Sequence, residues 1–219
     1  MPTFSLDALD LAALLCSKVC HDVISPVGAI INGLEVLEEE KDAEMRRFAN
    51  ELIKKSAHTA SAKLQFCRLA FGAAGSAGAS IDTGDAEQVA RNLLSDDRMT
   101  FEWIGTRQLM PKNKVKLILN LCLIASASIP RGGLLRVTIA GENETLAISL
   151  EASGPNMRLA NGIPALLAGE PETGNIDAHG IQAYYTGLVA RACDMELEVS
   201  VTPEKVHLSA RPAAIAAAA

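Results

Sequence analysis

The sequence predicts a helical hairpin followed by an α/β sandwich, and three observations carry that expectation. Two stretches, 6–38 and 43–71, hold apolar or small residues spaced four or three apart, the repeat of a helix buried along one seam. The small-residue run GAAGSAGAS (72–80) then interrupts the pattern, with the composition of a flexible connection. Beyond it, short β-rich runs alternate with helical ones, as expected of helices packed on a sheet in two layers. A chain of 219 residues, 49% of them hydrophobic, can give both units real cores.

The seam of the first helix is Cys16, Cys20, Val23, Val27, Ile30, Leu34 and Leu37. EEEKDAE (38–44) has no apolar period and can turn the chain. The seam of the second helix is Ala49, Ile53, Ala57, Ala60, Leu64, Cys67 and Phe71. Two such helices form an antiparallel hairpin. Alone they bury little, so the hairpin is expected to complete a four-helix bundle with a second copy, making a homodimer. After the connection, 85–95 reads as a helix, 100–105 as a strand and 112–129 as an apolar helix. Strands at 134–140 and 145–152 flank the hairpin signal GENE. A short helix at 161–169 and a longer one at 179–194 precede strands at 195–201 and 205–211 around TPE. The expected units are a hairpin at 1–75, a linker at 76–84, an α/β domain at 85–211 and a tail at 212–219. The ending AAIAAAA reads as frayed and without function.

Composition excludes several function classes. Net charge is −6 and no basic cluster is present, so phosphate backbones have nothing to bind and no nucleic-acid partner is expected. Five cysteines are scattered without a CxxC, reading as buried thiols in a reducing compartment. MPTFSLDALD lacks a basic leader region, and no apolar run reads as long enough for a bilayer. A cytoplasmic protein with no membrane partner is the expectation.

One stretch stands out, VCHDVISPVGAI (19–30). His21 lies off the seam, on a second row formed by Leu14, Lys18, His21, Ser25, Gly28, Asn32 and Glu35. Apart from Leu14 that row is polar or small, so it should face solvent. Lys18 sits about one turn before the histidine and Ser25 about one turn after it. Gly28 costs the helix about 1 kcal/mol relative to alanine but leaves a low surface that another protein can approach. Pro26 removes the N–H that would bond the Asp22 carbonyl, at roughly 3 kcal/mol in a helix interior. An exposed imidazole beside an acid, a helix-disrupting proline and a small-residue surface on a dimerising hairpin are more than a surface histidine and a tolerated kink would bring together.

HDVISP resembles the H-box of bacterial two-component histidine kinases, and the whole hairpin resembles their dimerisation and histidine phosphotransfer domain. With the second domain included, the pattern resembles the dimeric histidine phosphotransferases of alphaproteobacterial cell-cycle phosphorelays. The resemblance implies that His21 takes a phosphoryl group from an aspartyl phosphate on one receiver domain and gives it to another. Asp22 would orient the complex or assist proton movement. Receivers would dock around Leu14, Lys18, Ile24, Ser25 and Gly28. The implied partners are the receiver of a CckA-like hybrid kinase and the receivers of CtrA-like and CpdR-like regulators. Mg²⁺ would be supplied by the receiver, with no cofactor or metal site on this chain. Cys16 and Cys20 beside His21 are not read as metal ligands, because both lie on the packing seam. His58, His179 and His207 are read as structural.

The second domain resembles the ATP-binding (Bergerat) domain of those kinases, with its ligands lost. LILNLCLIASASIPRGGLLRVTIA (117–140) resembles the N-box helix, turn and strand, with Ile124 where the kinases hold Mg²⁺ through asparagine. ISLEASGPNMRL (148–159) resembles the G1 box, with Ala152 at the adenine-binding aspartate and Asn156 at the second glycine. HGIQAYYTGLVARACDMELEV (179–199) resembles the glycine-rich box, keeping Gly180. Isoleucine cannot ligate a hard cation and alanine cannot accept a hydrogen bond. A phosphotransferase without ATP binding is therefore expected. The alternatives are a divergent kinase and a non-catalytic dimeric adaptor that binds response regulators.

Overall fold

The computed structural model describes residues 4–72 and 79–213. Most of the connection GAAGSAGAS, and the tail beyond Ala213, lie outside the described residues. Helix α1 (Ala8–Glu39) starts at Asp7, whose carboxylate accepts the Leu9 N–H at 2.8 Å. Helix α2 (Ala43–Ala70) starts at Asp42, whose Oδ1 accepts from the N–H groups of Glu44 and Met45 at 3.0 and 2.9 Å. Each carboxylate satisfies donors that the first turn leaves open. Between them, Arg46 donates to the carbonyls of Leu37 and Glu40, closing the C-terminal end of α1 and the hairpin turn.

The face that joins the two helices follows the expected seam on α2, where Ala49 and Ala60 are buried, but is shifted on α1. Pro26 and Gly33 are the buried residues of α1, and a Cβ on Gly33 would stand 2.6 Å from Ile53 Cγ1 and 3.3 Å from the Ala49 carbonyl. On the expected seam, Cys16, Cys20, Val27 and Leu34 are exposed, so the reading of these two thiols as buried is corrected. The reason is physical. On α1 the buried centre of the contact is Pro26 and Gly33, which allow close approach and carry no hydrophobic signal. The bulky apolar stripe Cys20, Ile24, Val27, Ile31 and Leu34, also spaced four and three, lies open on the protomer.

By length and composition α1 is also apolar enough to cross a bilayer, which corrects the sequence expectation. It has apolar residues on three faces, and reading only one seam understates that. In the fold α1 packs along α2 and against a helix of the second unit.

The second unit runs β1 (Ser80–Asp82), α3 (Thr83–Leu94), β2 (Met99–Ile104), β3 (Leu109–Pro111), α4 (Lys112–Ala127), β4 (Gly133–Ala140), β5 (Ala147–Ser153), α5 (Ile163–Ala168), α6 (Ile181–Ala192), β6 (Met195–Val201) and β7 (Val206–Pro212). Five strands form one sheet in the order β2-β4-β5-β7-β6, with β2 and β4 parallel and the other neighbours antiparallel. Alternate residues point inward, as a strand's period of two requires: Leu135, Val137 and Ile139 on β4, and Ile148, Leu150 and Ala152 on β5. They meet the apolar helix α4 and make a two-layer sandwich. Strands β1 and β3 pair separately. Both escaped the sequence reading because three residues show no period. β1 and the start of α3 fall inside the segment expected to be linker, and Asp82 caps α3 by accepting the Gly84 N–H at 2.8 Å.

The two units are joined at two places. Phe66, Leu69 and Ala70 of α2 belong to the same core as α3 and α4. Buried Asn120 donates to the carbonyls of Ala70 (3.0 Å) and Lys116 (2.9 Å), and Gln182 on α6 donates to the Asn120 carbonyl at 2.9 Å. At the same open end of the hairpin, on the α1 side, Phe4, Leu6, Leu11, Leu14 and Leu15 pack on Ile176, Ile181 and Tyr184. The Leu6 N–H donates to the Tyr184 hydroxyl at 3.3 Å. The N-terminal part of α1 is thereby fastened to α6.

Candidate functional site

His21 sits near the middle of α1 with its side chain 79% exposed. Lys18 and Asp22, one turn apart, form an ion pair. Asp22 Oδ1 stands 3.9 Å from His21 Nδ1, too far for a hydrogen bond. The carboxylate is bonded to Lys18 instead. The nearer nitrogen is Nδ1, which leaves Nε2 as the nitrogen free to meet a partner.

The proline has a compensating residue. Helix α1 continues through Pro26, and the Asp22 carbonyl that Pro26 leaves open accepts a 2.7 Å hydrogen bond from Lys63 Nζ on α2. An orphaned carbonyl is thus satisfied, and a second cation is brought to the residue next to His21. Lys63 was missed in the sequence reading. It lies 41 residues from Asp22, and only the hairpin register pairs the two.

Of the expected docking residues, Ser25 is exposed and Ile24 is 70% exposed. A Cβ on Gly28 would meet nothing within 4 Å. Lys18 is half-buried and engaged with Asp22. Leu14 is corrected: it is half-buried against the Ile181 and Tyr184 cluster, so the chain's own second unit occupies it. The one apolar residue of the otherwise polar row is apolar because it makes this contact.

A second imidazole lies beside the first. The rings of His21 and His179 are 6.4 Å apart between centroids. His179 precedes α6 in a turn held by Asp177, whose Oδ1 accepts from the N–H groups of His179 (3.0 Å) and Gly180 (2.8 Å). Those bonds, the Gly180 one first, hold the Asp177 carboxyl below its ordinary pKa. No linear signal could place His179 here, because its position depends on the packing of α6 on α1. His58 is exposed on α2, and His207 Nε2 lies 2.8 Å from Ser149 Oγ across two paired strands, a structural contact.

Between α1 and the second unit lies a cleft of about 290 Å³ lined by Lys18, Ile124, Leu159, Ile163, His179 and Gln182 among others. It is at the low end of ligand-pocket size, about 300 Å³. Ile124 and Ala152 are buried in the core. Asn156 has a positive φ of 54°, and its amide oxygen, turned toward Arg131, accepts from Nη1 and Nε at 2.7 and 3.0 Å. The two loops that resemble nucleotide-site boxes are thus tied to each other. Among the described residues no group of three or more His, Cys, Asp or Glu could hold a metal ion.

The chain is 49% identical over 206 residues to protein phosphotransferase ChpT of Brucella abortus (strain 2308), an alignment spanning 94% of this chain and 97% of that protein. Residues 83–205 match the family model for the histidine phosphotransferase C-terminal domain. This chain belongs to the histidine phosphotransferase family. A solved bacterial phosphotransferase structure aligns with a TM-score of 0.88 at 46% identity, covering 96% of this chain and 100% of that one. The histidine phosphotransferase is therefore an enzyme of phosphoryl transfer in a phosphorelay, built as a helical hairpin followed by an α/β domain.

Proposed function

We propose that this phosphotransferase carries the phosphoryl group on His21 and passes it between receiver-domain aspartates. The exposure of His21, beside Asp22 and the open surface at Gly28, is the observation that supports it most. The neutral imidazole attacks phosphorus with its Nε2 lone pair. The N–P bond forms as the acyl-phosphate O–P bond breaks, and that bonding pair leaves on the receiver's carboxylate. Nδ1 keeps its proton through the step, so the phosphorylated ring is cationic. Onward transfer is the reverse step with a second receiver. The reaction depends mainly on positioning and charge stabilisation, and Mg²⁺ in the receiver's acidic pocket supplies the latter. Receivers dock on Ile24, Ser25 and Gly28 beside Lys18. By family resemblance they belong to a CckA-like hybrid kinase and to CtrA-like and CpdR-like regulators.

The protein acts in the cytoplasm as a homodimer without bound ATP. The dimer would bury the open stripe of Val27, Ile31 and Leu34 with Phe48 and Leu52 of α2, all exposed on the protomer, leaving Ile24 to the receiver. Against ATP stand Ile124 and Ala152, which offer no ligand oxygen, and the Asn156–Arg131 contact. Calorimetric titration with ATP should show no heat of binding.

The deciding experiment mixes the protein with a radiolabelled, phosphorylated receiver, with His21→Ala alongside. Acid-labile, alkali-stable label on the wild type and none on the variant is expected. Label on both would move the carrier elsewhere. No label on either, with receiver binding intact, would favour the adaptor.

A further inference from the structure

We propose that His179, supplied by the second unit, contacts the phosphoryl group while it is carried on His21. This inference rests on the reading of His21 as carrier. Three placements support it. The two rings are 6.4 Å apart between centroids, a gap that a tetrahedral phosphoryl group on one ring can bridge by a hydrogen bond from the other. His179 is 90% exposed, and its Nδ1 is 3.8 Å from Asp177 Oδ2, beyond hydrogen-bond range, so the ring stands ready for an external acceptor. Its position is nevertheless fixed through the backbone. Asp177 Oδ1 holds the His179 and Gly180 N–H groups, the Ile181 N–H donates to the Asp177 carbonyl at 3.0 Å, and buried Ile181 and Tyr184 seat the start of α6 on α1.

The charged groups around the phosphoryl position are Lys18, Asp22, Asp177 and Lys63, the last bonded to the Asp22 carbonyl. Lys18 is paired with Asp22 on α1, and His179 adds a donor from the second unit, on the side facing α6. Nδ1 faces Asp177 and Nε2–H donates to a phosphoryl oxygen. During transfer the group in flight spreads charge over its oxygens, and a donor held in place beforehand stabilises that charge. His179 forms and breaks no covalent bond and transfers no proton, so the N–P and O–P exchange at His21 balances without it. A domain without nucleotide ligands thereby serves the transfer site directly.

The test is single-turnover transfer from a phosphorylated receiver to the full chain over a range of receiver concentrations, comparing wild type, His179→Ala and His179→Gln. The side chain is exposed, so both variants should fold. For His179→Ala the maximal rate is expected to fall roughly 10- to 100-fold, the worth of one hydrogen bond to a charged group, with the half-saturating receiver concentration unchanged. Glutamine, whose amide still donates, should recover part of the rate. In ¹⁵N-imidazole spectra of the wild type, the His179 resonances should move when His21 is phosphorylated. An unchanged maximal rate, a loss confined to half-saturation, or unmoved resonances would overturn the inference while leaving His21 as carrier. Failure of the wild type to label at His21 would overturn both.

Discussion

The contact between Lys63 and the Asp22 carbonyl can be isolated by a double-mutant cycle. Pro26 has no N–H, so Lys63 Nζ is what satisfies that carbonyl, at 2.7 Å. A hydrogen bond involving a charged group is worth about 1.5–3 kcal/mol. The site is only partly buried, so Lys63→Ala should cost near the lower end, about 1.5 kcal/mol. Pro26→Ala restores the N–H and the ordinary helical bond. It recovers a helix penalty of roughly 3 kcal/mol and loses two buried methylenes at about 0.8 kcal/mol each, for a net gain on the order of 1 kcal/mol. In that background the carbonyl no longer needs the lysine, and Lys63→Ala should cost less than about 0.5 kcal/mol. The expected coupling is about 1 kcal/mol, well above the additivity of independent sites. The assay is urea unfolding followed by circular dichroism at one fixed protomer concentration, since association shifts apparent stability. Equal costs of Lys63→Ala in both backgrounds would refute the reasoning.

Other outcomes follow from single positions. Gly33→Ala places a Cβ 2.6 Å from Ile53 Cγ1 and should destabilise by about 1–3 kcal/mol. Gly28→Ala meets nothing within 4 Å and should stabilise by up to about 1 kcal/mol while weakening receiver binding; urea midpoints and receiver titrations check both. The Asp82 carboxyl is held below 3.8, first by the Gly84 N–H and then by Arg107. Its contribution to stability is therefore complete above the ordinary carboxylate pKa and is lost as pH falls through the lowered folded value. Thermal unfolding of Asp82→Asn between about pH 5 and 2 should show a shallower acid decline than wild type, and parallel curves would contradict this. Ile31→Asp puts a charge in the open apolar stripe and should leave a folded monomer in light scattering, whereas an unaffected dimer would place the interface on another face.

Periodicity made most of the fold legible. α1, α2 and α4 are long and regular, and the strands of the main sheet alternate, so their bounds fall close to those expected. What stayed hidden depends on elements meeting in space. The α1–α2 contact runs over Pro26 and Gly33, which carry no hydrophobic signal. Strands β1 and β3 are too short to show a period. Leu14 reads as part of an exposed row until α6 covers it. At the candidate site, His21 stood out through its local pattern of acid, proline and glycine. Lys63 and His179 could not, because one needs the hairpin register and the other the docking of the second unit.

The shared core at the foot of the hairpin bears on modularity. Phe66, Leu69 and Ala70 complete their burial only against α3 and α4, and the last carbonyl of α2 is satisfied by Asn120. A hairpin excised at residue 72 would carry an apolar patch and an unbonded helix end. The histidine-bearing helices are therefore not a cassette that can be grafted between proteins, and a change deep in the α/β core reaches His21 through the foundation of the helix pair that presents it.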